Sequence, residues 1–245
     1  MKKVAIIGGT GLSQMEGVEE IKRHQLATDY GDPSSAIREC RYQEQEFFFL
    51  PRHGDPHRIA PHKINYRANI AALKSLEIDQ IIAVNAVGGI HSKLQPKDIV
   101  IPDQVIDYTS GRENSFFDGT LQGLDHIDFS YPFDQSVSEN LRTKANELQI
   151  PLVYGGVYAA TQGPRLETAA EIKRLAQDGA TIVGMTLMPE AALAREMKIA
   201  YASLCLVVNP AAGVTDRVIT MEEIHLAVQE GMGSIQKLIQ SYIGS

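Results

Sequence analysis

Hydrophobic and polar positions along this chain fall into short apolar runs that stop abruptly at glycine and polar residues. VAIIGGTG does so at Val4–Gly11, FFFLPRHG at Phe47–Gly54 and IIAVNAVGG at Ile81–Gly89. VYAATQGPR follows at Val157–Arg165, IVGMT at Ile182–Thr186 and LCLVVNPAAG at Leu204–Gly213. Such runs predict strands, here over 3–8, 36–42, 46–51, 80–85, 98–109, 152–160, 181–185 and 201–208. Helical spacing predicts helices near 64–77, 136–148, 168–177, 189–197 and 220–242. Ser136/Glu139, Thr168/Glu171 and Thr220/Glu223 each fit a capping box, and Pro189 suits a first helical turn. Strands and helices alternate, and 36–51 reads as a hairpin. The expected fold is therefore α/β: one domain over 1–245 with a central mixed sheet flanked by helices. The polar, aromatic, Gly-rich stretch 110–135 reads as a long surface excursion and a candidate subunit contact.

Composition narrows the partners. The 245 residues are 44% hydrophobic and 22% charged, ordinary for a globular domain with a sizeable core. A net charge of −7 argues against nucleic acid as a partner. No Lys/Arg run suggests a membrane surface, and no apolar stretch approaches the ~20 residues that span a bilayer. Strand-like KKVAIIGG starts the chain without a signal sequence, and Cys40 and Cys205 are its only cysteines, so a cytoplasmic location with reduced thiols is expected.

In α/β proteins ligands bind beyond the carboxyl ends of the strands. Six strand ends carrying Thr, Arg, His, Asn or bare amides describe a composite site for an anion and a polar ring. The turn Gly8–Gly11 is a poor dinucleotide fingerprint, because the third glycine position falls on Gln14. It reads equally as a plain strand end or as a phosphate-binding turn. Arg52-His53 ends an apolar strand, where the Arg fork matches phosphate. His53, His57 and His62 crowd one Pro-containing loop without meeting a zinc pattern, so no metal is expected. His57, Arg58 and His62 read as loop, substrate-edge or subunit-contact residues.

Seven motifs occur in order: GGTGL at 8–12, RHG at 52–54, NYRANI at 65–70, NAVGGI at 85–90, GPRLET at 163–168, MTLMPE at 185–190 and NPAAG at 209–213. Together they resemble the trimeric purine nucleoside phosphorylase/methylthioadenosine phosphorylase family, from about residue 4 to 240. Within it the resemblance is to the bacterial S-methyl-5′-thioinosine phosphorylase branch. The resemblance implies a homotrimer with sites at subunit borders, acting on a purine nucleoside with inorganic phosphate as co-substrate and no cofactor. It implies that Thr10, Arg52, His53, Asn85, Ala86 and Thr186 hold phosphate, and that Met185 packs under the ribose. Relatives specific for methylthioadenosine usually have Thr where this chain has Asn85.

The base-reading positions depart from the adenine-specific pattern. An Asp-rich motif after the last strand is replaced by Asn209-Pro210-Ala211, and Glu167 matches the Glu of 6-oxopurine phosphorylases. An amide can donate to O6 or N7, and a carboxylate accepts from N1–H. Asn209 and Glu167 are thus the expected catalytic and base-binding pair. The plainer readings are a turn former before Pro210 and a helix N-terminal acid. Where inosine-cleaving relatives carry a His facing the 5′-hydroxyl, this chain has Met221, with Ile224 one turn on, which suits a methylthio group. His225 lies close enough for a shifted register to restore a polar contact, and core packing is the plainer role of Met221 and Ile224. The expected reaction is phosphorolysis of S-methyl-5′-thioinosine. Methylthioadenosine or general 6-oxopurine nucleosides are alternative substrates. A dinucleotide oxidoreductase and a non-catalytic nucleoside-binding protein are the rival classes.

Overall fold

The computed structural model describes residues 2–9, 12, 15–117, 119 and 124–244. Among them eleven strands form one mixed sheet. β1 (Val4–Gly8) runs parallel between β4 (Gln45–Pro51) and β5 (Gln80–Gly89). β11 (Ala200–Pro210) runs parallel along the other side of β5. β3 (Ile37–Tyr42) pairs antiparallel with β4, giving the expected hairpin. β2 (Val18–His24) adds an outer strand that the hydrophobic pattern misses. Its sequence VEEIKRH is mostly exposed; an edge strand needs no apolar alternation, and its charges discourage further pairing.

Two expected long strands are each broken. The run 98–109 divides into β6 (Ile99–Ile101) and β7 (Gln104–Asp107), and 152–160 into β8 (Leu152–Tyr154) and β9 (Val157–Ala160). Pro102 has no N–H to donate to a ladder, and Gly155 and Gly156 adopt φ of 95° and 118°. Asp103 Oδ1 accepts the Gly156 N–H at 2.8 Å and ties the two bends together. Pairing passes from β5 through β11 and β6 to β8. Past the bend it returns through β9 and β10 (Ile182–Gly184) to β5. One end of the sheet thereby closes into a barrel-like ring.

Side chains alternate between two cores, as the strand period of two requires. Ala5, Ile7, Ile81 and Ala83 pack under α1 (Tyr66–Ser75) and α4 (Leu187–Glu196). Ile6, Ile82 and Val84 pack under α2 (Gln135–Glu147) and α5 (Met221–Ile243). α3 (Ala169–Gln177) covers a third cluster with Ile90, Val183 and Ala211. No helix among the described residues is long and apolar enough to cross a membrane.

The helix starts test the capping expectations individually. α3 carries the full Thr168/Glu171 box. α5 keeps half of its own: Thr220 accepts from the Glu223 N–H, while the Glu223 carboxylate is held by Arg217. The Ser136/Glu139 box is not formed. α2 starts earlier, at Gln135, and Asp134 is its N-cap, accepting from the Val137 N–H at 2.9 Å. In α4 Met188 is non-helical (φ −109°, ψ 137°), so the regular helix begins at Pro189 as expected. The excursion is better anchored than its composition suggests. Phe116 and Phe133 are buried, and Glu196 accepts from Ser115 Oγ and the Phe116 N–H.

Candidate active site

The central strand opens at one point. Along one edge β5 is paired to β1 as far as Ala83, which faces Ile7. Further along the same strand, Gly88 and Gly89 pair antiparallel with Val183 and Ile182 of β10. β1 and β10 thus approach from opposite directions and leave 84–87 without a ladder partner on that edge. Ala86, in the middle of this gap, is the one exposed residue of an otherwise buried strand. Such a switch point, where chain direction and order change, is where α/β sheets bind ligands.

Around the gap lie most of the expected anion-site residues. Arg52 follows β4, its backbone N–H bonded to Gly8 O at 2.9 Å. Its side chain is 2% exposed. Nε and Nη2 form a two-pronged bridge with Glu190 at 2.7 and 2.8 Å, and Nη1 donates to Val84 O at 2.8 Å, within the ladder gap. Glu190 also accepts from Tyr201 Oη at 2.9 Å. Burial acts to lower the Arg52 pKa, but the charge and hydrogen bonds of Glu190 outweigh it and the net shift is upward. Arg52 is therefore a fixed cation at the floor of the gap. Its partners Glu190 and Tyr201 were not singled out from sequence. A lone Glu within the apolar run MPEAALA was the available signal, because a carboxylate buried there needs a cation.

Thr186, at the end of β10, donates from Oγ1 to Asn85 Oδ1 at 2.7 Å. Asn85 Nδ2 in turn donates to Ser203 Oγ at 2.8 Å. The Asn85 amide is thus engaged at both ends, which fixes its orientation. His53 donates from Nδ1 to Ile59 O at 2.8 Å and stacks on His57 with centroids 4.4 Å apart. Burial lowers its pKa to about 4, with the charge of Arg52 adding to the effect. At neutral pH the ring is therefore uncharged, with its proton on Nδ1 and a lone pair on Nε2, so Nε2 is an acceptor. Thr10 lies outside the described residues. Among the described residues no group of His, Cys, Asp and Glu is arranged to hold a metal ion. Among the described residues β1 is followed by β2 rather than by an α-helix whose N-terminus could bind a dinucleotide's phosphates.

The base-site candidates sit at the other end of the gap. Asn209 pairs in register with Gly88, just past an irregularity in β11, and is 8% exposed. Its Nδ2 donates to Pro210 O at 2.7 Å. Ala211 is held by its N–H to Gly89 O at 2.8 Å. Glu167 lies on the loop from β9 to α3 and lines a cavity of about 210 Å³ with Thr161, Gln162, Gly163 and Arg165. Glu167 Oε1 accepts from Thr161 Oγ1 at 2.5 Å. Two close approaches hold these segments together. A side chain at Gly213, beyond Asn209, would meet Ala169 Cβ at 2.5 Å, and one at Gly163 would meet Met185 Sδ at 2.5 Å. Met185 thereby joins the β10 end to the Glu167 loop.

The 5′-site candidates diverge. Ile224 packs against the α2/α5 core, while Met221, the first residue of α5, is 59% exposed. Ile224 is partly buried against that core, and Met221 is the more open of the two.

This geometry agrees with what the chain is similar to. A model described as the phosphorylase superfamily matches residues 3–244. A probable S-methyl-5′-thioinosine phosphorylase of Pseudomonas syringae is 51% identical over 236 residues, covering 96% of each chain. A 6-oxopurine nucleoside phosphorylase of Pyrococcus furiosus is 40% identical, covering 99% of this chain and 92% of its own length. Among solved structures, a methylthioadenosine phosphorylase of Schistosoma mansoni in complex with adenine superposes with a TM-score of 0.93 at 29% identity, covering 100% of this chain and 91% of that one. With the match spanning nearly every residue from β1 to α5, the chain belongs to the phosphorylase superfamily.

Proposed function

We propose that this protein cleaves the N-glycosidic bond of S-methyl-5′-thioinosine with inorganic phosphate, releasing hypoxanthine and 5-methylthioribose 1-phosphate. The observation that carries this reading is the ladder gap. A buried, permanently charged Arg52 lies at its floor, and the Asn209 amide lies at its far end. The 51% identity to a probable S-methyl-5′-thioinosine phosphorylase supports the same substrate.

Phosphate sits against Arg52, His53, Asn85, the Ala86 backbone and Thr186, the Thr186 hydroxyl leaving Asn85 Oδ1 to donate to it. The neutral His53 accepts from the remaining P–O–H of HPO₄²⁻. As the C1′–N9 bond breaks, its electron pair passes into the purine and spreads to N7 and O6. Asn209 Nδ2 leaves Pro210 O to donate there, an interaction stronger in the transition state than before it. Glu167 holds N1–H. A phosphate oxygen bonds C1′, and the phosphate proton ends on the base, so the charges balance without a protein nucleophile. Binding and orientation by fixed groups supply the rate. Met185 carries the ribose, and Pro210 and Ala211 line the base.

We further propose a homotrimer, because the exposed Met221 leaves the 5′ end of the site open within one chain. The free thiols of Cys40 and Cys205 support a cytoplasmic location. The open 5′ end also favours one second reading, a general 6-oxopurine nucleoside phosphorylase. Phosphate-dependent base release from methylthioinosine, methylthioadenosine and inosine, side by side, decides. Preference for methylthioinosine supports the proposal. Preference for inosine transfers the assignment to the second reading, and preference for methylthioadenosine overturns the base assignment.

A further inference from the structure

We propose that Thr161 sets the base selectivity of the site by positioning Glu167. The proposal rests on the reading of Glu167 as the group that meets the purine N1 edge.

Thr161 follows the last residue of β9, and every polar atom it has is engaged. Its N–H donates to Gly184 O at 2.8 Å, and its carbonyl accepts from Arg112 Nη2 at 3.2 Å. Arg112 also grips the next residue, donating to Gln162 O at 3.0 Å and to Gln162 Oε1 at 3.2 Å. The backbone at 161 is thus clamped between β10 and the excursion. From this fixed point the hydroxyl donates to Glu167 Oε1 at 2.5 Å, and the other acceptor it meets among the described residues, Gly184 O, is 3.4 Å away. A hydroxyl has one proton to give. At these distances it is spent on the carboxylate, in the short range of charge-assisted O–H···O⁻ bonds.

The consequence concerns the other oxygen. Oε2 accepts no hydrogen bond from the described residues, and a carboxylate has only acceptors to offer there. Glu167 lies on a loop, and a Glu side chain on a loop samples several rotamers unless something holds it. The Thr161 bond removes that freedom. One oxygen is tied down, and the other is left as an acceptor on a residue that lines the cavity with Gln162, Gly163 and Arg165. An acceptor fixed there fits a purine that presents N1–H, the 6-oxopurine form. It disfavours a 6-aminopurine, whose N1 is itself an acceptor. Thr161 touches no base in this scheme; it is a positioning residue.

The test is a selectivity ratio. kcat/KM for methylthioinosine and methylthioadenosine is measured at saturating phosphate for wild type, Thr161→Val, Thr161→Ser and Glu167→Gln, together with the phosphate KM and melting temperature. Thr161→Val keeps the shape and the backbone clamps but removes the donated proton. It is expected to lower the methylthioinosine:methylthioadenosine ratio by roughly tenfold, the usual effect of losing one hydrogen bond to a charged group. The phosphate KM and melting temperature stay near wild type, and Thr161→Ser restores the ratio to within about threefold. Should the Val variant not fold, Thr161→Ala removes the same proton without adding a group to pack. If Glu167→Gln lowers the ratio and neither Thr161→Val nor Thr161→Ala does, the base assignment stands and the positioning role is overturned. If none of these variants moves it, Glu167 does not read the base, and both fall together.

Discussion

Arg52, on the proposed function, joins stability to binding in a single residue. Its guanidinium is locked by Glu190, Val84 O and the neighbouring backbone, so its charge is oriented before any ligand arrives. Removing one partner of a buried pair leaves the other uncompensated. Glu190→Ala should therefore destabilise the fold by about 3–5 kcal/mol, read as a lowered urea midpoint. Tyr201→Phe, which leaves the pair and removes one hydrogen bond, should cost about 1–3 kcal/mol and raise the phosphate KM more than the nucleoside KM. His53 makes the opposite prediction with pH. Burial lowers its pKa to about 4, below the unfolded value of about 6.5, so the unfolded chain binds more protons between those limits. The His53 contribution is complete above about pH 6.5 and is lost as pH falls towards 4. In chemical denaturation, wild type should lose stability over that window relative to His53→Gln. A parallel pH dependence in both proteins would refute the buried neutral ring. The sequence marked Arg52 and His53 by their position after FFFLP. It could not give the sign of their behaviour, because that depends on Glu190, more than a hundred residues away, and on the burial of the imidazole.

At the scale of elements, local chemistry was legible where the interaction is local. The α3 box needs only residues three apart, and it forms as written. The α2 box fails because Asp134 caps the helix two residues earlier, taking the Val137 amide. The two helices should respond differently. Thr168→Ala and Asp134→Ala should each cost about 1 kcal/mol. Glu139→Ala, at the position expected to complete the α2 box, should stay within about 0.5 kcal/mol, all measured by thermal melts. Long-range features were not legible. β2 carries no apolar alternation, and the breaks at Pro102 and Gly155–Gly156 look like ordinary turns within continuous apolar runs. Only their mutual pairing, through Asp103 and Gly156, shows that two bent strands close the ring. Gly184 shows the same limit. It reads as one more glycine of a strand end, yet a Cβ there would lie 2.1 Å from Tyr158 Oη.

At the scale of the molecule, the sheet decides which strand ends become neighbours, and so what the substrate meets. Six ends were visible in the sequence. The ladder gap was not, since it arises from β1 and β10 meeting one edge of β5 from opposite directions. That arrangement puts Asn209, on the far side of β5 opposite Gly88, at the end of the gap away from Arg52. In the proposed mode of binding the Asn209 amide belongs to the purine end of the site, and its polarity should govern which base is accepted. In the free protein its Nδ2 donates to Pro210 O at 2.7 Å. Asn209→Asp replaces that donor with a carboxylate oxygen facing a carbonyl oxygen, a repulsion that turns the side chain away from Pro210. Once turned towards the base, a carboxylate repels O6 and N7 of hypoxanthine but accepts from the 6-amino group of adenine. The ratio of kcat/KM for methylthioinosine to that for methylthioadenosine should fall by roughly tenfold to a hundredfold. The phosphate KM should hold, because Arg52 and Thr186 belong to the other half of the gap. An unchanged base ratio with a raised phosphate KM would place Asn209 at the anion instead, and would reverse the direction in which substrate lies along β5.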